Sequence, residues 1–196
     1  MDCRTDEFTL LGDFCYLSLD PNTAHGYLRL CEKDRAVRRS KKDKPYPRHP
    51  DRFNSRAQVL SKESVCEHGY WEVEWSGDGC VYISVSYKGV NKKEESRCSV
   101  FGYNDESWSL VCSRHPLLFY HNDIKADFGV PSPSRIGVYV DHSVGTLSFY
   151  SISDTMKLLH RVHTTFTQPL YAGFNVGTPE TLVRFADPLE TNQHIL

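Results

Sequence analysis

The chain has no apolar run approaching the roughly 18 residues of a membrane-spanning helix, so no span of that kind is expected. It has no Cys-x-x-Cys pair, although it carries seven cysteines, and that odd count argues against a fully paired disulfide framework. There is no Asn-x-Ser/Thr glycosylation acceptor, and the opening residues Met1-Asp2-Cys3-Arg4-Thr5-Asp6-Glu7 lack an apolar signal region. Together these features point to a reducing, cytoplasmic setting with all cysteines as thiols. Gly-x-Ser-x-Gly, His-Glu-x-x-His and a phosphate-cradling glycine loop are all missing, which removes the common signatures of hydrolases, zinc proteases and nucleotide enzymes. No ten-residue stretch shows a helical period, and only Thr5–Gly12 suggests a short helical turn.

What is present is β structure. Tyr70-Trp71-Glu72-Val73-Glu74-Trp75 alternates strictly, with Trp71, Val73 and Trp75 on one face and Tyr70, Glu72 and Glu74 on the other. Further strand-like runs are Phe14–Leu19, Gln58–Leu60, Val81–Tyr87, Ser107–Cys112, Leu117–His121, Arg135–Asp141, Thr146–Ile152, Met156–Leu159 and Leu182–Phe185. Turn signals such as Gly77-Asp78-Gly79, Lys88-Gly89 and Val144-Gly145 separate them. Many short strands without long helices predict an all-β, antiparallel sandwich with Trp71, Val73, Trp75, Val81, Ile83, Val85, Ile136, Val138, Leu147 and Phe149 in its core. Trp108, alternating with serines, is read as a core residue too. Asp20 and Asp141 fall where strands meet turns, and are read as caps for the local backbone.

A formal net charge of −2 favours neither nucleic acid nor a membrane surface as a partner of the whole chain. The charge is unevenly spread. Residues 32–57 hold ten Lys/Arg against four Asp/Glu, a local +6, which leaves −8 for the remainder. This stretch is either a solvated loop or a footprint for an acidic or phosphate-bearing ligand. Its prolines, Pro45, Pro47 and Pro50, place it outside the centre of a sheet. His160 and His163 are three apart and fall on opposite faces of a strand. Cys66 and His68 make only two ligands, so no metal site and no cofactor are expected.

Three segments carry a resemblance in order: Leu19-Asp20-Pro21-Asn22-Thr23-Ala24, then Tyr70–Trp75, then Val140-Asp141-His142-Ser143-Val144-Gly145-Thr146-Leu147-Ser148-Phe149-Tyr150. Tyr46-Pro47-Arg48-His49-Pro50-Asp51-Arg52-Phe53, Gly102-Tyr103-Asn104, Ser107-Trp108-Ser109-Leu110 and Phe166-Thr167-Gln168-Pro169-Leu170-Tyr171 extend it. The chain resembles the PRY-SPRY (B30.2) family, and looks closest to its fish-type tripartite-motif and NOD-like-receptor members. It departs from the family in Val-Asp-His-Ser at the third motif, and in Arg48, where the family usually carries an acid.

The resemblance implies a bent sandwich of two antiparallel sheets, of the concanavalin-like jelly-roll type. It implies a flank at 1–12, a PRY segment at 13–63, a SPRY segment at 64–190 and a tail at 191–196. It also implies a non-catalytic, monomeric module that gives target specificity to a tripartite-motif ubiquitin ligase or an innate immune receptor. Its partner would be a protein, such as a pathogen or immune-signalling component. Two alternatives stand beside it. One is a butyrophilin-type phosphate sensor using Arg48, Lys88, Lys92 and Arg97. The other is a structural domain of a fish cytolysin. Family members bind through loops at one end of the sandwich, which by position implies Lys41–Arg52, Lys88–Arg97, Ser113–Phe119 and Phe174–Glu180. Tyr46, Arg48, Lys88, Arg97, Arg114, His115, Phe174 and Asn175 are the candidate partner-binding residues on them.

Overall fold

A computed structural model describes residues 10–65 and 67–188. Thirteen strands appear among them: β1 (Leu28–Cys31), β2 (Ala36–Arg39), β3 (Gln58–Val65), β4 (His68–Ser76), β5 (Val81–Tyr87), β6 (Ser107–Cys112), β7 (Pro116–His121), β8 (Ile124–Pro131), β9 (Arg135–Asp141), β10 (Thr146–Ile152), β11 (Met156–His163), β12 (Leu170–Val176) and β13 (Leu182–Ala186). They form a seven-stranded sheet, β1-β2-β13-β4-β9-β10-β11, and a six-stranded sheet, β3-β12-β5-β6-β7-β8. All pairings between these strands are antiparallel. The all-β sandwich expected from the sequence is therefore the fold.

The core lies between the sheets. Trp71, Val73, Ile136, Val138, Val140, Leu147 and Phe149 meet Val81, Ile83, Val85, Leu110, Phe119, Ala172 and Phe174 there. Nine of the ten predicted core residues are fully buried; Trp75 is half-buried, and its Nε1 donates to the Pro133 carbonyl at 2.7 Å. Trp108 is buried with its ring stacked on His121 at 4.7 Å.

The expectation that Tyr70 and Glu72 face solvent is corrected. Leu10 and Tyr150 form a second apolar layer with Tyr70, flanked by Leu11, Phe14, Tyr139 and Ile152. Residues 10–12 are helical and close over the outer face of β4. The packed unit thus reaches into the stretch assigned as a flank, while residues 5–9 of the expected Thr5–Gly12 turn lie outside the described ones. The second sheet is also covered outside. Phe53, Leu60, Val90 and Phe101 form a cluster there, with Tyr171 beside it. The Phe101 edge comes so close that a Cβ on Gly173 would sit 2.8 Å from it.

Phe14–Leu19 is not a strand. Phe14 bridges Tyr70 and Leu19 bridges Ser61, and the chain between them crosses from one to the other with Leu17 inside and Tyr16 out. β1, β2, β8 and β12 were not anticipated. Four-residue β1 and β2 are too short to show a period, and edge strand β8 carries Lys125, Asp127 and Gly129. β12 is interrupted by Ala172-Gly173, a register shift where Phe101 packs.

Turns carry their own chemistry. Asp141 Oδ1 accepts from Val144 N at 3.0 Å and from the Ser143 hydroxyl at 2.8 Å, and these bonds hold its carboxyl below the usual range. Asp20 Oδ1 accepts from Asn22 N at 2.9 Å. Both aspartates cap as expected. Gly145 closes the β9–β10 turn at φ +79°, where a Cβ would lie 1.8 Å from the Thr164 carbonyl oxygen. Gly145→Ala should cost about 2 kcal/mol or more, roughly 4–8 °C in melting temperature, read by calorimetry.

His160 points between the sheets against Phe119 and Phe128, with centroids 4.4 and 5.3 Å away. Burial lowers its pKa from the ordinary 6.5. The unfolded chain therefore binds a proton more readily, and stability falls as pH drops below about 6.5. His160→Phe should flatten that part of the stability–pH curve, as followed by denaturant midpoints across pH.

Five cysteines, Cys15, Cys31, Cys80, Cys98 and Cys112, are unbridged among the described residues. Burial pushes the Cys80 thiol up to about 11 and Cys112 higher still, so both stay protonated and unreactive. Thiol titration of the denatured, unreduced chain should count all seven cysteines of the sequence.

Candidate partner-recognition face

The proline-rich segment 40–57 is folded by one arginine. Arg52 is buried, and its guanidinium donates from Nε to Pro47 O at 3.0 Å and from Nη1 to Pro21 O at 2.9 Å and Ala24 O at 2.7 Å. Proline supplies no backbone donor, so a side chain does the cross-linking instead. Tyr46 lies against this post. Its hydroxyl donates to Leu28 O at 2.9 Å, and its ring sits between Lys44 Nζ at 4.6 Å and the Arg52 guanidinium at 4.8 Å.

The loop after β5 folds back over the second sheet and clamps this segment. Lys93 Nζ donates to Arg52 O at 2.7 Å and His49 O at 3.1 Å. Lys88 Nζ lies 3.5 Å from Asp51. Buried Lys92 turns inward to the carbonyls of Lys88 and Val90, above the Phe53 ring, and burial lowers its pKa. Gln58, fully buried, ties three elements together. It donates to Ser99 O at 3.0 Å and accepts from Phe101 N at 2.9 Å and Asn175 Nδ2 at 3.0 Å.

Three open clefts join at Asn54 on the resulting face. One, about 470 Å³, is walled by His25, Tyr27, Arg39, Arg56, Tyr82 and Asn175. Another, about 540 Å³, is walled by Tyr46, Arg48, His49, Arg52 and Lys93. A third, about 280 Å³, lies between Asp43–Tyr46 and His25. His25 Nδ1 accepts from Tyr27 N at 3.1 Å, which leaves Nε2 to donate to Asn54 O at 3.1 Å; desolvation lowers its pKa. Arg39 donates to the carbonyls of Val176 and Gly177, and Arg56 to that of Ser96. The Nε of each of these two arginines is buried without a hydrogen-bond partner among the described residues.

The structure sorts the predicted site residues. Tyr46 and Arg48 wall the second cleft, Asn175 walls the first, and Lys88 stands at the clamp. Phe174 is corrected: it is a fully buried core residue of β12, packed on Phe185 at 5.0 Å, and cannot anchor a partner. Arg97 sits apart, paired with Asp123 at 3.0 Å over the Tyr103 ring. Arg114 and His115 are exposed at the β6–β7 turn beside Ser132, off these clefts. The four cations suggested for a phosphate pocket do not converge. Arg48 is exposed, Lys88 faces Asp51, Lys92 is turned inward and Arg97 pairs elsewhere.

His25, Tyr27, Arg39, Asn54, Arg56 and Tyr82 were not anticipated. Two signals pointed to some of them: Arg39 and Arg56 belong to the basic run, and Tyr82 alternates with inward Val81 and Ile83. No grouping of three metal-binding side chains occurs among the described residues. Rigidly held tyrosine, arginine and histidine around open clefts suit protein contact.

Comparison with known proteins agrees with this fold. Residues 17–65 match the model of the SPRY-associated domain, PRY, and residues 68–188 that of the SPRY domain. The chain is 38% identical over 185 residues to tripartite motif-containing protein 16 of Mus musculus, covering 93% of this chain and 33% of that protein. It is 37% identical over 175 residues to the stonustoxin alpha subunit of Synanceia horrida, covering 86% of this chain and 24% of that one. Among solved structures, the TRIM65 PSpry domain superposes with a TM-score of 0.84 at 26% identity, covering 93% of this chain and 96% of that chain.

Proposed function

The chain belongs to the PRY-SPRY family, and from that premise we propose that it is a protein-recognition module that confers target specificity on a larger cytoplasmic protein. SPRY domains are in general non-catalytic interaction modules, and the one observation that carries the reading here is the joined set of clefts around Asn54. It is built from loops pinned by Arg52, Gln58 and Lys93 to a rigid sandwich, the arrangement that lets binding residues vary without loss of fold. The chain spans 33% and 24% of the two relatives above. A tripartite-motif ligase or an innate immune receptor is the host that this reading favours.

The test is affinity capture with the 196-residue chain, each captured protein then being remeasured as a purified component. Tyr27→Ala, Arg48→Ala and Tyr82→Ala should each weaken binding by roughly 1–3 kcal/mol with melting little changed, while Arg114→Ala leaves affinity alone. Normal binding by all three cleft variants would overturn the reading.

A further inference from the structure

The cations of this chain are unevenly matched to its carboxylates. On the seven-stranded sheet, Arg135 reaches Glu72 and Glu74, Arg184 reaches Glu74 and Glu32, and Arg35 reaches Asp187 at 2.9 Å. The basic run behaves otherwise. Lys41, Lys42, Lys44 and Arg48 are exposed and meet no carboxylate among the described residues. Arg39, Arg52 and Arg56 place their donors on carbonyls, which leaves their positive charge uncancelled. Among the described residues, Arg35 and Arg38 are the cations of residues 32–57 that find an acid, Asp187 at 2.9 Å and Glu180 at 3.8 Å, and both precede the proline-rich segment. The first cleft has Glu95 as its single carboxylate, the second, walled by Tyr46 and Arg48, has none, and the third has Asp43.

We propose that the partner presents an acidic peptide segment, which lies along Lys41, Lys42, Lys44 and Arg48 and ends in the cleft between Arg39 and Arg56. This rests on the recognition function above and names the chemistry of its partner. The cations are strung along an extended loop rather than gathered at one point, which fits carboxylates spaced along a chain and not a single phosphate. The patch is also short. A long uniform polyanion such as RNA would run off the local +6 onto a remainder carrying −8, where it is repelled. Exposed Tyr27 and half-buried Tyr46 flank the path and supply contact area for peptide backbone and side chains.

The probe is a fluorescein-labelled peptide alternating Glu and Gly, compared with its Gln counterpart by anisotropy on the whole chain. The Glu peptide should bind roughly ten-fold tighter or more. That preference should collapse between about 0.1 M and about 1 M salt, as the screening length shrinks from ~10 Å to ~3 Å. Lys42→Glu combined with Arg48→Glu should abolish it with melting unchanged, since both side chains are exposed. Lys157→Glu, on edge strand β11 at the far end of the sheet order, should leave it intact. Equal binding of the Gln peptide, equal damage from Lys157→Glu, or tighter binding of an RNA oligonucleotide or inorganic phosphate would each overturn the proposal. A captured protein whose affinity depends on Tyr27 and Tyr82 but ignores salt and the double charge reversal would overturn it as well. That result would leave the recognition function standing.

Discussion

Trp71→Ala should destabilise the domain by about 3–5 kcal/mol, enough to leave much of the chain unfolded at physiological temperature. Trp71 is among the largest fully buried side chains, at 1% exposure, and its ring lies at the meeting of the two sheets. Alanine there leaves a cavity that paired strands on both sides cannot collapse into. The indole Nε1 has no hydrogen-bond partner among the described residues, so its stabilisation comes from packing alone. Trp71→Phe should consequently cost far less than Trp71→Ala, because it keeps a ring and removes an unsatisfied donor. Urea unfolding of the two variants checks both statements. Equal losses would show that the indole nitrogen matters and that the packing account is wrong.

The second large effect is at Arg135. Its guanidinium donates from Nε to Glu72 Oε2 at 2.5 Å, from Nη1 to Glu74 Oε1 at 2.7 Å and from Nη2 to the Asp187 carbonyl at 2.5 Å. Glu72 also accepts from the Tyr70 hydroxyl at 2.7 Å, beneath the layer that Leu10 seals. The two ionic side chains are 11% and 5% exposed, so Arg135→Ala strands a buried carboxylate and should cost about 3–5 kcal/mol. Arg135→Met with Glu72→Leu removes both charges and should recover much of that loss. Glu74 adds a pH dependence. Hydrogen bonding to Arg184 leads in holding its pKa below the ordinary 4.5, and Arg135 assists. Its contribution is present above that value and is lost as pH falls through the lowered one, so acid midpoints should shift upward in Arg184→Ala. A double-mutant cycle at neutral pH, with acid titrations alongside, measures each part.

Much of this architecture was legible because apolar residues recurring at every second position announce strands, even strands buried on both faces. Val81–Tyr87, Ser107–Cys112, Arg135–Asp141 and Thr146–Ile152 begin and end where the alternation does. Tyr70 and Glu72 were misplaced because a strand buried on both faces still alternates when one of its faces is filled by polar groups that pair. Only tertiary structure brings Arg135 and Leu10 to that face. β8 was missed although Ile124, Ala126, Phe128 and Val130 alternate with Lys125, Asp127 and Gly129; at the sheet edge its inner face is only partly buried. Among site residues, the basic run was visible as charge, but whether each cation faces solvent was not. Lys92 and Arg48 look alike in sequence, yet one bonds buried carbonyls and the other is exposed. Phe174 was misread because position between matched motifs placed it at the start of a loop. Strand β12 instead runs through it to Val176, with Gly173 making room for Phe101. Asn54 and His25 carry no pattern at all; their roles come from where Arg52 and Gln58 pin the chain.

The central claim is that a protein partner is held on the face where the clefts meet at Asn54. Amide hydrogen exchange on the 196-residue chain, with and without a bound partner, tests it most directly. Protection should rise across residues 25–57 and 88–100, with β8 and β11 unchanged. Protection confined to the β8 and β11 edges, or to the turn carrying Arg114 and His115, would contradict it.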